Sequence, residues 1–121
     1  MAHPYKASKA WHHSVSLASD VERLVAHFKE YDEPELAQRM QQASSAVHQW
    51  LADSHEYDKL ALRLDCYQRA RAGVQQLRAD LNQAHGLNYI DQALHEHLTN
   101  QAITIYRLLT ELIQVTSKAA S

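Results

Sequence analysis

Residues 58–85 read DKLALRLDCYQRARAGVQQLRADLNQAH, and apolar side chains recur in this stretch at every third or fourth position. The recurring residues are Leu60, Leu64, Tyr67, Ala70, Val74, Leu77, Leu81 and Ala84. This spacing places side chains on one face of an α-helix. It therefore predicts a long helix over residues 58–85, with Asp58 as its N-cap and Gly86 as a left-handed C-terminal stop.

Three further stretches with the same spacing flank this helix. Residues 8–30 carry Trp11, Val15, Ala18, Val21, Val25 and Phe28. Residues 34–54 carry Leu36, Met40, Ala43, Val47, Trp50 and Leu51. Residues 91–116 carry Leu94, Leu98, Ile105, Leu108, Leu109 and Leu112. Pro34 suits the first turn of one helix and Asp91 can cap another, so four helices are predicted.

The links between the predicted helices are only a few residues long, which makes consecutive helices antiparallel neighbours. The 121 residues include only 2 Gly and 2 Pro, and 45% of them are hydrophobic. Few turns and many apolar residues favour long helices around a single core. The sequence predicts one domain over residues 1–121, an all-α up-down-up-down antiparallel four-helix bundle.

Composition also indicates a compartment. Cys66 is the only cysteine, so no internal disulfide can form, as is usual in a reducing environment. No run approaches the roughly 18 apolar residues of a membrane span. We expect a cytoplasmic protein without a membrane partner. The formal net charge of −2 does not by itself indicate nucleic-acid binding.

The nine histidines are the main candidates for chemistry, but their spacing does not favour it. His12 and His13 are adjacent, and His95 and His97 lie two apart. On a helix the two side chains of each pair point in different directions, so they cannot bind the same ligand. No Glu-x-x-His occurs, which excludes the usual di-iron site of four-helix bundles. We expect no enzyme activity, no catalytic residue, no cofactor and no metal ligand. A metal- or small-ligand-binding bundle stays open as an alternative because of the histidine count.

Helix four carries a second apolar stripe, about 100° away from its first. Its members are Ala102, Tyr106, Leu109 and Ile113. Because a bundle core needs one stripe, the second indicates a subunit interface, to which Trp11 can add an aromatic anchor. A single wide stripe that faces the core explains the same residues equally well.

Basic side chains give a candidate nucleic-acid interface. Arg71 and Arg78 lie seven residues apart on one face of helix three, and Lys6 and Lys9 lie near the N-terminus. Solvated charges, or ion pairs to the acidic helix two, are the alternative explanation. In a symmetric ring a modest pair of arginines would be repeated around the assembly.

Four stretches carry a resemblance to a known family. They are YKASKAW at residues 5–11, QASSAVHQWLADS at 42–54, ARAGVQQL at 70–77 and LNQAHGLNYI at 81–90. Their order and spacing resemble the four-helix-bundle family of 23S ribosomal RNA intervening-sequence proteins. The chain is also similar to the related accessory variability proteins of diversity-generating retroelements.

The resemblance implies a helical bundle without catalytic activity that assembles as a ring, a homopentamer. It also implies nucleic acid as a possible ligand, since retroelement relatives bind nucleic acid and a reverse transcriptase. The leading hypothesis is therefore a non-enzymatic, ring-forming scaffold that binds a macromolecule. An RNA- or DNA-binding accessory protein is one alternative, and the metal- or small-ligand-binding bundle is the other. The expected partners are further copies of the chain, RNA or DNA, or another protein.

Overall fold

The computed structural model describes residues 5–28 and 33–120, with only the backbone of Tyr5. These residues form four α-helices: α1 (Tyr5–Val25), α2 (Pro34–Ser54), α3 (Leu60–Gly86) and α4 (Gln92–Ala120). Each helix packs against the next along the chain, and α4 also packs against α1. Within the described ranges the backbones of the diagonal pairs α1–α3 and α2–α4 are not adjacent. The predicted all-α four-helix bundle is confirmed.

The ends of α1 differ from the prediction of residues 8–30. The α-helix begins at Tyr5 and ends at Val25, and a turn follows that buries Phe28. Residues 29 and 30 lie outside the described part of the chain. The face of α1 that is buried also differs from the predicted face: Val15 is 37% exposed, whereas Leu17 is buried.

This difference follows from the two neighbours that α1 touches. The side chains that α1 buries in the core are Ala7, Ala10, Ser14, Leu17, Val21, Leu24 and Val25. Ser14 is tolerated there because its hydroxyl donates to the carbonyl of Ala10, at 2.6 Å. Trp11 is half-buried and packs against the core from the edge.

The prediction of Asp58 as the N-cap of α3 is wrong. The helix begins at Leu60, and Lys59 is the N-cap residue, without a side-chain hydrogen bond. The backbone carbonyl of Lys59 accepts from the amides of Leu62 and Arg63, at 3.1 and 3.2 Å. The buried Arg63 also donates through Nε to the carbonyl of Tyr57, at 2.6 Å. That side chain fixes the α2–α3 link in place of a cap.

The left-handed stop after α3 lies at Asn88, not at Gly86 as predicted. Asn88 has φ 64°, and no described glycine has positive φ. The amide of Tyr89 donates to the carbonyl of Ala84, at 2.9 Å, and the amide of Asn88 to that of His85, at 3.0 Å. This is a Schellman motif. Asparagine tolerates the left-handed conformation, so the helix continues through Gly86.

The start of α4 agrees with the prediction. The Asp91 carboxylate accepts from the amide of Leu94, at 2.8 Å, as an N-cap does. Similarly, Pro34 lies in the first turn of α2. The far end of α4 extends beyond the predicted residue 116, to Ala120.

Both apolar stripes of α4 face the core of the same chain. Ala102 and Leu109 are fully buried, like Leu98 and Ile105, and Ile113 is 8% exposed. Ala102 and Leu109 therefore have no surface in the single chain for another subunit, which favours the alternative of one wide stripe that faces the core. Because α4 packs against both α1 and α3, the arc that it buries is wide enough to include both stripes.

Helices α2 and α3 approach closely at Gly73. A Cβ added there would lie 3.1 Å from Cγ2 of Val47 and 3.4 Å from the carbonyl oxygen of Ala43.

None of the described helices is both long enough and apolar enough to span a membrane.

Candidate nucleic-acid interface

Five polar side chains follow one side of α3 at alternating spacings of four and three residues. They are Arg71, Gln75, Arg78, Asn82 and His85, here called the α3 stripe. This spacing keeps them on one side of the helix over about 21 Å of its length. Four of the five contact α4, so the stripe runs along the seam between the two helices.

At one end of the seam, Arg71 and Gln75 meet α4. The guanidinium of Arg71 lies 5.8 Å from the ring centroid of Tyr106 and donates weakly to the hydroxyl of Thr110, at 3.5 Å. The amide of Gln75 donates to the hydroxyl of Tyr106, at 3.4 Å. The contacts of Arg71 with Tyr106 and Thr110 do not neutralise its charge.

At the other end, two imidazole rings stack. The centroids of His85 and His95 are 4.4 Å apart, and the ring planes are inclined by 17°. Nε2 of His95 donates to Oδ1 of Asn82, at 2.8 Å. The seam therefore has a half-buried ring system at each end, with Arg78 between the two ends.

The α3 stripe carries positive charge without a carboxylate to balance it. Arg78 has no ion-pair partner among the described residues. The nearby acids of α3 point elsewhere: Asp65 pairs with Arg69 at 2.9 Å, and Asp80 is buried facing Arg39 of α2. The ion pairs predicted between α3 and acids of α2 are not found among these residues. An anion is the ligand that such a surface favours.

The structure does not bring all four predicted nucleic-acid residues together. Arg71 and Arg78 share the α3–α4 seam, whereas Lys6 and Lys9 lie on α1, whose backbone is not adjacent to that of α3 in the described ranges. Lys6 also pairs with Glu111, at 2.9 Å. Lys9 is exposed beside His12 and His13. The two lysines therefore belong to another part of the surface.

The remaining predicted interface residues do not form one patch. Tyr106 lies on the α3–α4 seam with Arg71 and Gln75. Trp11 lies one helical turn from Val15, which lines a groove between α1 and α2. The α1–α2 side thus offers exposed apolar surface near a predicted interface residue.

Histidines and Cys66 form no metal site in residues 5–28 and 33–120. No group of three or more His, Cys, Asp and Glu side chains is arranged to hold a metal ion there. Burial raises the pKa of the Cys66 thiol, which disfavours the nucleophilic thiolate. The metal-binding alternative therefore gains no support from the described residues.

His48 lies in the groove between α1 and α2, which has a volume of about 520 Å³. The residues that line it are Val15, Ala18, Ser19, Glu22, Gln41, Gln42, Ser44, Ser45 and His48. Burial lowers the pKa of His48 below its ordinary value of 6.5. Protonation of His48 is therefore less favourable in the folded chain than in the unfolded chain.

This pKa shift predicts a loss of stability in acid. As the pH falls through 6.5 toward the lower folded pKa, the unfolded chain takes up the proton first, and the free energy of unfolding decreases. The variant His48→Gln is expected to lose less melting temperature than the native protein between about pH 7.5 and 5.5. His12→Gln, on the exposed outer face of α1, is the matched control. Equal losses in the native protein and His48→Gln would contradict the prediction.

Sequence reasoning found the two arginines of the stripe but missed its other members. Gln75, Asn82 and His85 continue the spacing of Arg71 and Arg78, and that pattern was available in the sequence. The partners on α4 were not available, because helical spacing on one element does not show which residues a neighbouring helix places opposite.

Comparison with known proteins identifies the family. A family model described as 23S rRNA-intervening sequence protein matches residues 6–111. No curated protein matches the chain. A crystal structure from Bacteroides thetaiotaomicron, of a protein of unknown function from the S23 ribosomal protein family, superposes with a TM-score of 0.82 at 14% identity. The superposition covers 90% of this chain and 98% of the other. That likeness supports the bundle fold, and the family match over most of the chain shows that this protein belongs to the 23S rRNA-intervening sequence protein family.

Proposed function

We propose that this protein is a non-enzymatic helical scaffold that binds nucleic acid through the α3 stripe and does so as a homo-oligomeric ring. The observation that carries the proposal is the line of hydrogen-bond donors from Arg71 to His85, which has no carboxylate among its members. Arginine suits phosphate because its guanidinium donates from a fixed, planar fork. The cytoplasm is the location we propose for this function.

A ring would compensate for the modest charge of one chain. Each copy offers only two arginines on the stripe, and the chain has a net charge of −2. Repeating the stripe around a ring makes later contacts intramolecular once the first has formed. Overall affinity can then exceed that of a single stripe without any new contact.

The logarithm of the nucleic-acid association constant is expected to fall linearly with the logarithm of salt concentration. In the double variant Arg71→Ala/Arg78→Ala the plot should be shallower. The magnitude of its slope should decrease by about 1.4–1.8, since each lost phosphate contact contributes about 0.7–0.9. Fluorescence anisotropy of labelled RNA and DNA across a salt series measures both quantities.

The double variant Lys59→Ala/Arg69→Ala is the matched control. It removes the same charge from α3 and its N-cap residue. Arg69 lies off the stripe, paired with Asp65 and 5.0 Å from the ring centroid of Trp50. If both double variants lose the same affinity for nucleic acid, the effect comes from net charge, and the proposed role of the α3 stripe is contradicted. No binding by the native protein at low salt would refute the proposed function.

Self-association is supported by the exposed apolar surface beside the α1–α2 groove. Val15 is 37% exposed there, and the half-buried Trp11 lies one turn away. Large apolar side chains exposed next to one another commonly mark a contact with another protein. A second copy of the chain is the partner we propose for this surface.

Light scattering at micromolar concentration is expected to show a multiple of the 13.8 kDa chain, about 69 kDa for five copies. Val15→Glu should reduce that mass, because the new charge would be buried in the contact. Leu62→Glu, at an exposed position of α3, should leave it unchanged. A monomeric native protein would exclude the ring.

A further inference from the structure

The shape of the α3–α4 seam restricts which nucleic acid can reach the stripe. Arg71 and Arg78 are both half-buried on the side of α3 that packs against α4, so neither is carried on a protruding element. The guanidinium of Arg71 lies against Tyr106 and Thr110. Proteins that read a duplex usually insert one helix or a two-stranded ribbon into a groove about 12 Å wide. Two packed helices, each about 10–12 Å across, are too wide to enter it.

The chemistry of the stripe suits bases as well as phosphates. Gln75 and Asn82 lie at alternate positions with the arginines, and amide side chains can hydrogen-bond to base edges. Oδ1 of Asn82 accepts from His95, which leaves the two N–H donors of the amide for another group. Base edges are accessible to such donors in an unpaired strand, whereas the major groove of an A-form duplex is too narrow for them.

Rings at both ends of the seam offer stacking surfaces. Tyr106 and His95 are eleven residues apart on α4, which corresponds to about 16 Å along the helix. One face of each ring is already covered, that of Tyr106 by the guanidinium of Arg71 and that of His95 by the ring of His85. Both residues are half-buried, so a base would stack on the part of each ring that stays exposed. Aromatic rings beside a positive groove are typical of proteins that bind single strands.

We propose that the stripe binds a single-stranded segment of nucleic acid, with phosphates on Arg71 and Arg78 and unpaired bases against Tyr106 and His95. This inference rests on the proposed function and names the form of nucleic acid that it takes. Because both arginines are half-buried along the seam, a flexible strand can reach them more closely than the rigid phosphate rows of a duplex.

The test compares a labelled, unstructured RNA of about 12 nucleotides with the same strand annealed to its complement, using the full-length protein at low salt. The single strand is expected to bind at least about tenfold more tightly. His95→Ala should weaken single-strand binding by about 5- to 150-fold, the usual range for one stacked base, and leave duplex binding unchanged. His12→Ala, on the outer face of α1, is the control, and circular dichroism checks that each variant is folded.

Each outcome decides between the two proposals. Duplex binding as tight as single-strand binding, or tighter, would overturn this inference and leave nucleic-acid binding intact. A folded His95→Ala variant with native single-strand affinity would overturn the stacking arrangement. Absence of binding to either probe would instead refute the proposed function.

Discussion

Replacing Leu109 with alanine is expected to lower the free energy of unfolding by about 2–5 kcal/mol without changing the mass of the particle in solution. Leu109 has no exposed surface in the single chain, so the substitution leaves a cavity in the core of the bundle. Urea denaturation measures the first quantity and light scattering the second.

The same helix provides a control for this prediction. Val115 is 61% exposed, and Val115→Ala should change the free energy of unfolding by no more than about 0.5 kcal/mol. A Leu109→Ala variant of native stability but lower mass would show that Leu109 contacts a second subunit, as its spacing had suggested.

A second large effect is expected at Arg39, the cation that faces the buried carboxylate of Asp80. Nε of Arg39 lies 3.6 Å from Oδ1 of Asp80, whose side chain is 3% exposed. That oxygen also accepts from Gln76, at 3.1 Å, while Oδ2 is buried without a hydrogen-bond partner among the described residues. The charge of this buried carboxylate is therefore stabilised mainly through Oδ1, by Arg39 and Gln76.

Arg39→Ala is expected to lower the free energy of unfolding by about 2–3 kcal/mol. The estimate is below the roughly 3–5 kcal/mol of a fully buried pair, because the side chain of Arg39 is 43% exposed. Loss of its hydrogen bond to Gln83, at 2.9 Å, contributes to the same change. Urea denaturation at neutral pH provides the measurement.

Two comparisons isolate the charge of Asp80. In an Asp80→Asn background, Arg39→Ala should cost much less, since no buried charge remains to be compensated. Arg23→Ala removes the cation of the Asp20–Arg23 pair, in which Arg23 is 74% exposed, and should cost less than about 1 kcal/mol. Equal costs for Arg39→Ala in both backgrounds would contradict a role for the carboxylate charge.

Apolar spacing in the sequence was sufficient to predict the four helices, their short links and the bundle. The spacing in residues 58–85 predicted the longest run of core residues, and Tyr67, Val74 and Leu77 are fully buried as predicted. Local hydrogen bonds were predictable where one side chain satisfies a nearby amide, as Asp91 does for Leu94. These features depend on residues within one or two helical turns of each other.

Tertiary structure decided the features that depend on a neighbouring helix. The buried arc of α1 includes Leu17 and leaves Val15 exposed, because α1 packs against α2 and α4 at once. Leu109 is a core residue for the corresponding reason on α4. A hydrophobic pattern gives the direction of one face, but its width is set by how many helices pack against it.

The candidate site shows the same division. The sequence determined the fold class and the order of polar residues along α3, including Arg71 and Arg78. Only the packed bundle decided that Tyr106, Thr110 and His95 lie opposite them and that Lys6 and Lys9 lie elsewhere. The physical reason is that hydrogen bonds within a helix join residues a few positions apart, whereas a seam joins residues from two helices whose register is set by core packing.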